Sequence, residues 1–486
     1  MKAFIALIFV IWSALSLAGQ TFNNRYFFPD YSFGGGMSVE EIDNNYRFYS
    51  NIGDTLIKFA IHTTDVSGEV IDSNRFYTIS AATFNGYSNT TDAFDSGVIS
   101  AGSINYGDGL RDGIIVKWGL SSDTIATKKI TPDGNYSAVI LQRAIAVEDG
   151  FLAIGSISDG VSIERMFLVK TDFELNEVWR RQYGSSTFPH VGYSVVQTPD
   201  GGFLLGGVRK VPDSWDHCVI KTSADGTQQY LKYHGNEFKC YYAMVDNASD
   251  GNYYFGGRIQ IDEYNDYSQV CKLDAELDTI WCKVYGNYGP DCRVNCLKLL
   301  PDGNVIICGM DRSDFTMYGY VAKLDPDGNQ LWYRKYAQTA ENWCYFQDVI
   351  QTTDDGYLLT GSLYPEVDLT QDIWGLKLDD MGCLVPGCDT LVHVPERDAS
   401  WGVSIYPNPT SQFVNVYLSA SSMQQLSTVS LELVDMQGRI VRQFTPHLTD
   451  TTYMMDVEDL PAGIYVLNVF ADGAVVKSEK IMKEPG

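Results

Sequence analysis

Positive charge is scarce in this chain. Lysine and arginine total 35 against 61 aspartates and glutamates, a formal charge of −26 at neutral pH. A surface of that sign repels phosphate backbones, and no basic stripe interrupts it, which excludes nucleic acid as a partner. Helical periodicity is missing along the whole chain. After residue 19 there is no apolar run long enough to cross a bilayer, so the mature chain is expected to have no transmembrane segment. Common catalytic signatures are absent as well: no Gly-x-Ser-x-Gly elbow, no Walker loop and no His-Glu-x-x-His. Nor does a cofactor or metal site announce itself. Acidic stretches such as Asp325 to Asn329 lack the alternating oxygen ligands and closing glutamate of a calcium loop. His217, Cys218, His234 and Cys240 follow no zinc-ligand spacing.

What the chain does have is a repeat. An apolar residue recurs at Tyr46, Val98, Phe151, Phe203, Tyr253, Val305 and Tyr357, at spacings of 50 to 53 residues. Four positions later stand Ser50, Gly102, Gly155, Gly207, Gly257, Gly309 and Gly361. A fixed period of this size marks supersecondary units that bury their faces against one another. The fourth copy shows the unit most clearly. Strand-like Tyr193 to Gln197 turns at Pro199-Asp200-Gly201 into Phe203 to Leu205. Cys218 to Lys221 then turns at Asp225-Gly226 into Gln228 to Tyr233. Four short strands per repeat predict an all-β fold, a seven-bladed β-propeller over residues 20–385.

Further columns keep the same register. Lysine recurs near the end of the third strand at Lys117, Lys170, Lys221, Lys272, Lys323 and Lys377. The fourth strand carries aromatics four apart: Trp179 and Tyr183, Trp281 and Tyr285, Trp332 and Tyr336. These are expected to pack on the next blade. The seventh copy lacks a fourth strand, yet the missing pair stands near the other end of the chain as Phe22 and Tyr26. Residues 20–28 are therefore expected to supply the outer strand of blade seven, which would close the ring and remove two open sheet edges.

The turns between first and second strands, and between third and fourth, are tight and rich in Asp and Gly. The other loops are longer and aromatic and lie at the opposite end of every blade. They hold the candidate ligand-binding residues Phe188, His190, Trp215, Phe238, Tyr264, Tyr267, Tyr288, Phe315, Tyr318, Trp343 and Tyr364. Aromatic rings beside carboxylates suit a glycan or protein ligand. Several of these rings have an equally good reading as caps on the blade edges. A non-catalytic binding or adhesion module is the preferred function. A secreted hydrolase acting on glycans or peptides is the alternative, because two facing carboxylates leave no sequence mark.

The ends of the chain address it. Met1 to Gly19 combines one lysine, an apolar run and Ser16-Leu17-Ala18, the pattern of a signal peptide. Residues 386–402 hold prolines, glycine and Glu396-Arg397-Asp398, which suits an exposed linker. Beyond it the period stops. Tyr406-Pro407-Asn408-Pro409, then Leu433 to Arg439 with Gly438, then Pro461-Ala462-Gly463-Ile464-Tyr465, then Lys480-Ile481-Met482-Lys483 follow in order. This segment, 403–486, resembles the C-terminal sorting domain of Bacteroidetes type IX secretion cargo. The resemblance implies a small immunoglobulin-like β-sandwich that is read by the type IX machinery and cleaved by a surface sortase. It also implies export to the outer-membrane surface or the medium.

All ten cysteines lie between Cys218 and Cys388, an even number that favours disulfides in an exported protein. Cys383 and Cys388, separated by four residues, are the best pair. Cys240, Cys292 and Cys344 share one column before the first strand of consecutive repeats, and their partners stay open.

Overall fold

The computed structural model describes residues within 21–483. Left undescribed are 1–20, most of 386–402 and short loop segments, the longest being 84–90, 419–428 and 445–451. The chain divides into two compact units, residues 1–386 and 387–486.

In the first unit each described element is a β-strand, and the repeats fold as antiparallel meanders. The fourth repeat runs His190–Gln197, Phe203–Val211, Ser214–Thr222 and Gln228–His234. The first, fifth and sixth repeats form four-stranded sheets of the same order. The second and third are also meanders, joined into one larger sheet through a single parallel bridge between Ala138 and Arg111. The seventh has three consecutive strands, Trp343–Gln351, Tyr357–Tyr364 and Asp372–Leu378. Its fourth strand is Phe22–Tyr26, paired antiparallel from Phe22 opposite Lys377 to Tyr26 opposite Ile373.

The glycine column has a steric cause. The first strand of six repeats carries a bulge, for example between Val294 and Cys296 or between Phe346 and Asp348. The bulge pushes a carbonyl against the second strand just where the glycine stands. A Cβ on Gly155 would lie 2.0 Å from Ile140 O, one on Gly309 2.0 Å from Arg293 O, and one on Gly361 2.0 Å from Tyr345 O. The obstacle is backbone, so the strands must part. Gly309→Ala is expected to lower stability by about 1–3 kcal/mol, the usual range for overpacking, read from urea unfolding midpoints at constant slope.

Turns are closed by the side chains that the sequence supplies. Asp325 Oδ1 accepts from Asp327 N at 3.0 Å and Asn329 N at 2.7 Å. Asp172, Asp274 and Asp379 do the same in their own third-to-fourth turns. These carboxylates are spent on their own backbone. The lysine column ties the third strand to the first turn. Lys221 pairs with Asp200 at 2.7 Å, Lys272 with Asp250 at 2.6 Å, Lys323 with Asp302 at 2.9 Å and Lys377 with Asp354 at 3.0 Å.

Fourth-strand aromatics join one repeat to the next. Trp179 packs on Phe203 and Trp332 on Tyr357 of the following repeat, with ring centroids 6.1 and 5.5 Å apart, while Trp281 packs on Tyr254 of its own repeat at 6.0 Å and lies against Gly328 of the next. The second ring of each pair donates its hydroxyl to a turn glycine of the neighbour: Tyr183 to Gly226 O at 2.7 Å, Tyr285 to Gly328 O at 2.8 Å, and Tyr336 to Gly382 O. Phe22 and Tyr26 repeat both contacts on the first repeat. Phe22 meets Tyr46 at 6.0 Å and Tyr26 donates to Gly68 O at 3.1 Å.

Two histidines are sealed in this packing. His62 lies between Tyr26 and Phe48, and His217 faces Phe255. Burial lowers His62 to about 3 and His217 to about 4. The unfolded chain binds these protons below its ordinary value near 6.5, so their stabilising contribution is whole above that pH and is lost as pH falls toward 4. At pH 5 each costs about 2 kcal/mol. Asp266, raised to about 6 by burial, works in the opposite sense. The histidine share is isolated by comparison: His217→Asn is expected to lose less stability than the wild type between pH 7 and pH 5 in urea titrations.

The second unit holds two sheets over one core. Val403–Tyr406, Phe413–Leu418 and Thr452–Asp456 form the first; Ile440–Phe444, Val429–Asp435, Gly463–Ala471 and Ala474–Lys483 form the other. Val414, Val416, Leu431, Leu433, Leu467, Val469 and Ile481 fill the space between them. Alternation along each strand puts these residues on one face.

Candidate functional site

The first strands of successive repeats face one another, and side chains bridge them. Asp92 Oδ2 accepts from Ala146 N at 2.9 Å, Ser194 Oγ from Val245 N at 3.3 Å, and Asp246 Oδ2 from Leu299 N at 2.8 Å. Asn295 Nδ2 donates to Phe346 O at 2.7 Å. The last repeat reaches the first in the same manner, Val39 N donating to Asp348 Oδ2 at 3.2 Å. A cleft of about 360 Å³ opens here, lined by Ser38, Glu40, Asp92, Lys298 and Asp348 among others. Lys298 Nζ holds Asp348 Oδ1 at 2.6 Å. Burial pushes Asp92 and Asp246 above the usual carboxylate range, against the pull of Arg143 and Lys298. These charges bind the repeats to each other.

A different chemistry occupies the end where first strands begin and second strands stop. Trp215 lies on Tyr241 with centroids 4.7 Å apart, and Lys210 sits over the indole at 5.0 Å. The Arg258 guanidinium covers Tyr241 at 4.7 Å while pairing with Asp266 at 2.6 Å and Asp291 at 2.9 Å. Arg293 lies over Tyr242 at 5.4 Å and Tyr345 at 5.9 Å. Trp343 and Tyr364 stand opposite each other in register, both exposed, with Arg312 over the Trp343 ring at 5.0 Å. Beneath this layer the carboxylates are engaged: Asp216 by Arg209, Asp311 by Lys335 at 3.0 Å, and Asp372 by Arg25 at 2.5 Å. Asp266 differs. Its Oδ1 is buried with no hydrogen-bond partner, and burial lifts the group to about 6.

The sequence candidates divide accordingly. Trp215, Tyr267, Tyr318, Trp343 and Tyr364 retain partial or full exposure. Phe188 is half-buried. His190 is not a surface group: it is fully buried, its Nδ1 2.7 Å from Phe188 O and its Nε2 3.0 Å from Tyr233 OH, and burial lowers its pKa. Phe238, Tyr264 and Phe315 lie outside the described residues, as does the Tyr288 side chain. Sequence reasoning missed Tyr241, Arg258, Asp266 and Arg293. Their signal was position alone, since each sits at a strand end in the loop-bearing column.

Cysteine chemistry is mixed. Cys271 and Cys282 are bonded, and Cys383 and Cys388 are disulfide-bonded as well. Cys218, Cys240, Cys292, Cys296, Cys308 and Cys344 are buried thiols, so the even count is not exhausted by bridges. Cys240 and Cys344 face backbone carbonyls; Cys344, for instance, donates to Met317 O at 3.4 Å.

In the second unit, Tyr465 donates to Pro461 O at 2.8 Å, so two motif residues close one turn. Gly463 is exposed at the start of its strand, Lys480 is exposed and Lys483 buried near its end. Tyr406 ends a strand, whereas Pro407, Asn408, Pro409 and Gly438 lie outside the described residues. No described helix is long and apolar enough to cross a membrane.

No curated protein sequence matches the chain. Among solved structures, a protein of unknown function from Dyadobacter fermentans DSM 18053 is 11% identical, over 74% of this chain and 97% of that one, with a TM-score of 0.41. The β-propeller domain of the Trilobed protease from Pyrococcus furiosus is 11% identical over 73% and 99%, with a TM-score of 0.39. The polysaccharide lyase Uly1 is 11% identical over 71% and 90%, with a TM-score of 0.44. Likenesses this remote carry nothing about activity. Residues 404–484 match the secretion system C-terminal sorting domain. The C-terminal part of the chain thus belongs to the type IX sorting-domain family, which directs the protein to the cell surface or the extracellular space.

Proposed function

We propose that this is an exported seven-bladed β-propeller that binds a glycan or protein through its loop-bearing end. Residues 1–19 act as signal peptide and 386–402 as linker. Residues 403–486 form an immunoglobulin-like sandwich that is read by the type IX machinery and a surface sortase. The carrying observation is the Trp215–Tyr241–Arg258 stack, together with exposed Trp343 and Tyr364 at the corresponding strand ends of the seventh repeat. Flat rings with cationic edges bind sugars and peptides, and most of the carboxylates beneath them are tied up in ion pairs. One observation favours the hydrolase alternative: Asp266 keeps a buried Oδ1 without a hydrogen-bond partner, and burial lifts the group to about 6 against the pull of Arg258, in the range a general acid uses.

The two readings separate when the purified exported protein is tested on glycan and protein arrays beside a panel of hydrolase substrates. Binding without turnover is expected, weakened roughly tenfold or more by Trp215→Ala or Trp343→Ala, as for an interface anchor. Turnover that disappears in Asp266→Asn would establish the hydrolase instead.

A further inference from the structure

The Cys271–Cys282 bridge has a counterpart in the following repeat. Cys271 and Cys282 stand directly opposite one another on antiparallel strands, with Cα atoms 4.0 Å apart. Cys296 and Cys308 stand opposite in the same way on Arg293–Leu299 and Val305–Asp311. Both are buried and belong to one apolar cluster. Directly opposed residues on antiparallel strands project to the same side, so the two sulfurs share one face of the sheet. Directly opposed residues in an antiparallel pair have Cα atoms about 4.5 or 5.5 Å apart, and either value lies within the range a disulfide spans.

We propose that Cys296 and Cys308 are joined as a third disulfide in the exported protein. Cys296 is only 5% exposed and Cys308 is sealed, so the bond forms while the chain folds, before the sheet is covered. The oxidant is a disulfide-carrying thiol oxidant or small-molecule disulfide of the compartment through which the chain is exported. One cysteine thiolate attacks a sulfur of that disulfide and releases the first oxidant thiolate. The second cysteine thiolate attacks the mixed disulfide and releases the other. Two protein thiols lose two electrons and two protons, and the oxidant disulfide gains them as two thiols. The bond also alters the inter-repeat cluster. Cys296 now donates to Asp348 Oδ1 at 3.3 Å; once bridged it cannot, and that oxygen keeps Lys298. Two of the remaining thiols have other engagements. Cys240 points at His234 O, and Cys344 at the carbonyls of Met317 and Tyr336.

The inference relies on export for its natural oxidant, and the test supplies one independently. The full chain is folded in a glutathione redox buffer, unfolded in guanidinium, alkylated, and mapped by mass spectrometry without reduction. Three bridges among ten cysteines leave four alkylated sites, at Cys218, Cys240, Cys292 and Cys344, and a crosslinked peptide joining Cys296 to Cys308. Cys308→Ser should free Cys296 and give five alkylated sites. Alkylation of both Cys296 and Cys308 in the wild type, or either one bonded elsewhere, overturns the proposal. That readout stands even if the serine variant fails to fold. Disulfide formation here with failed surface delivery of the same chain would count against the export reading alone.

Discussion

Deleting residues 20–28 should lower the thermal unfolding midpoint by roughly 6 °C or more, although it removes only nine residues near one end of the chain. The strand Phe22–Tyr26 is five residues long and is the outer partner of Asp372–Leu378. Phe22 and Tyr26 are both buried, and each side chain is worth about 1.5–3 kcal/mol in apolar burial. Their loss also bares Tyr46, Phe48 and His62, which they cover, and leaves the Gly68 carbonyl without its tyrosine donor. Together these terms reach about 5 kcal/mol, before the ladder of the exposed edge is counted. The double substitution Phe22→Ala, Tyr26→Ala should recover most of the effect while keeping the backbone pairing. An unchanged midpoint for the deletion would mean that the last repeat is stable without its fourth strand.

Removal of 403–486 should abolish surface delivery. The truncated chain is expected in the periplasmic fraction, folded and with its inter-repeat packing intact, while the intact chain reaches the surface or medium. The first unit owes its stability to its own sheets and the second has a separate core, so truncation removes the address without unfolding the cargo. Fractionation with an antibody to the first unit measures the split. Normal surface delivery of the truncated chain would contradict the sorting role of the segment.

Much of the architecture was legible because the repeat writes it several times. Tyr46 through Tyr357 mark second strands, the Asp-Gly turns mark their ends, and the two aromatics at 22 and 26 complete a column that is otherwise interrupted. The cause of the glycine column was not legible, because the bulge that crowds Gly309 lies in a neighbouring strand whose sequence varies from Val294 to Phe346. The lysine column was visible as a pattern but silent as to purpose. Lys221 and Asp200 are 21 residues apart and meet only once two hairpins have formed. The candidate site was legible at Trp215, Trp343 and Tyr364, which are large rings in loop-bearing columns. His190 looked the same on paper and is buried, because strand-end position does not tell which side of the sheet a ring takes. Arg258 and Asp266 were missed for a related reason: their pairing crosses from a second strand to the start of a third, where no fixed spacing exists. The sorting motif, by contrast, is local text and could be read directly.

The central claim is that a sevenfold repeat is closed into a ring by a strand from its own beginning. Amide hydrogen exchange on the exported protein tests it most directly. If Phe22–Tyr26 is the fourth strand of the last repeat, peptides covering 20–28 should be protected to the same order as the corresponding outer strands Glu177–Tyr183 and Gln330–Tyr336. Exchange of 20–28 at the rate of a free peptide, with those two strands protected, would contradict it.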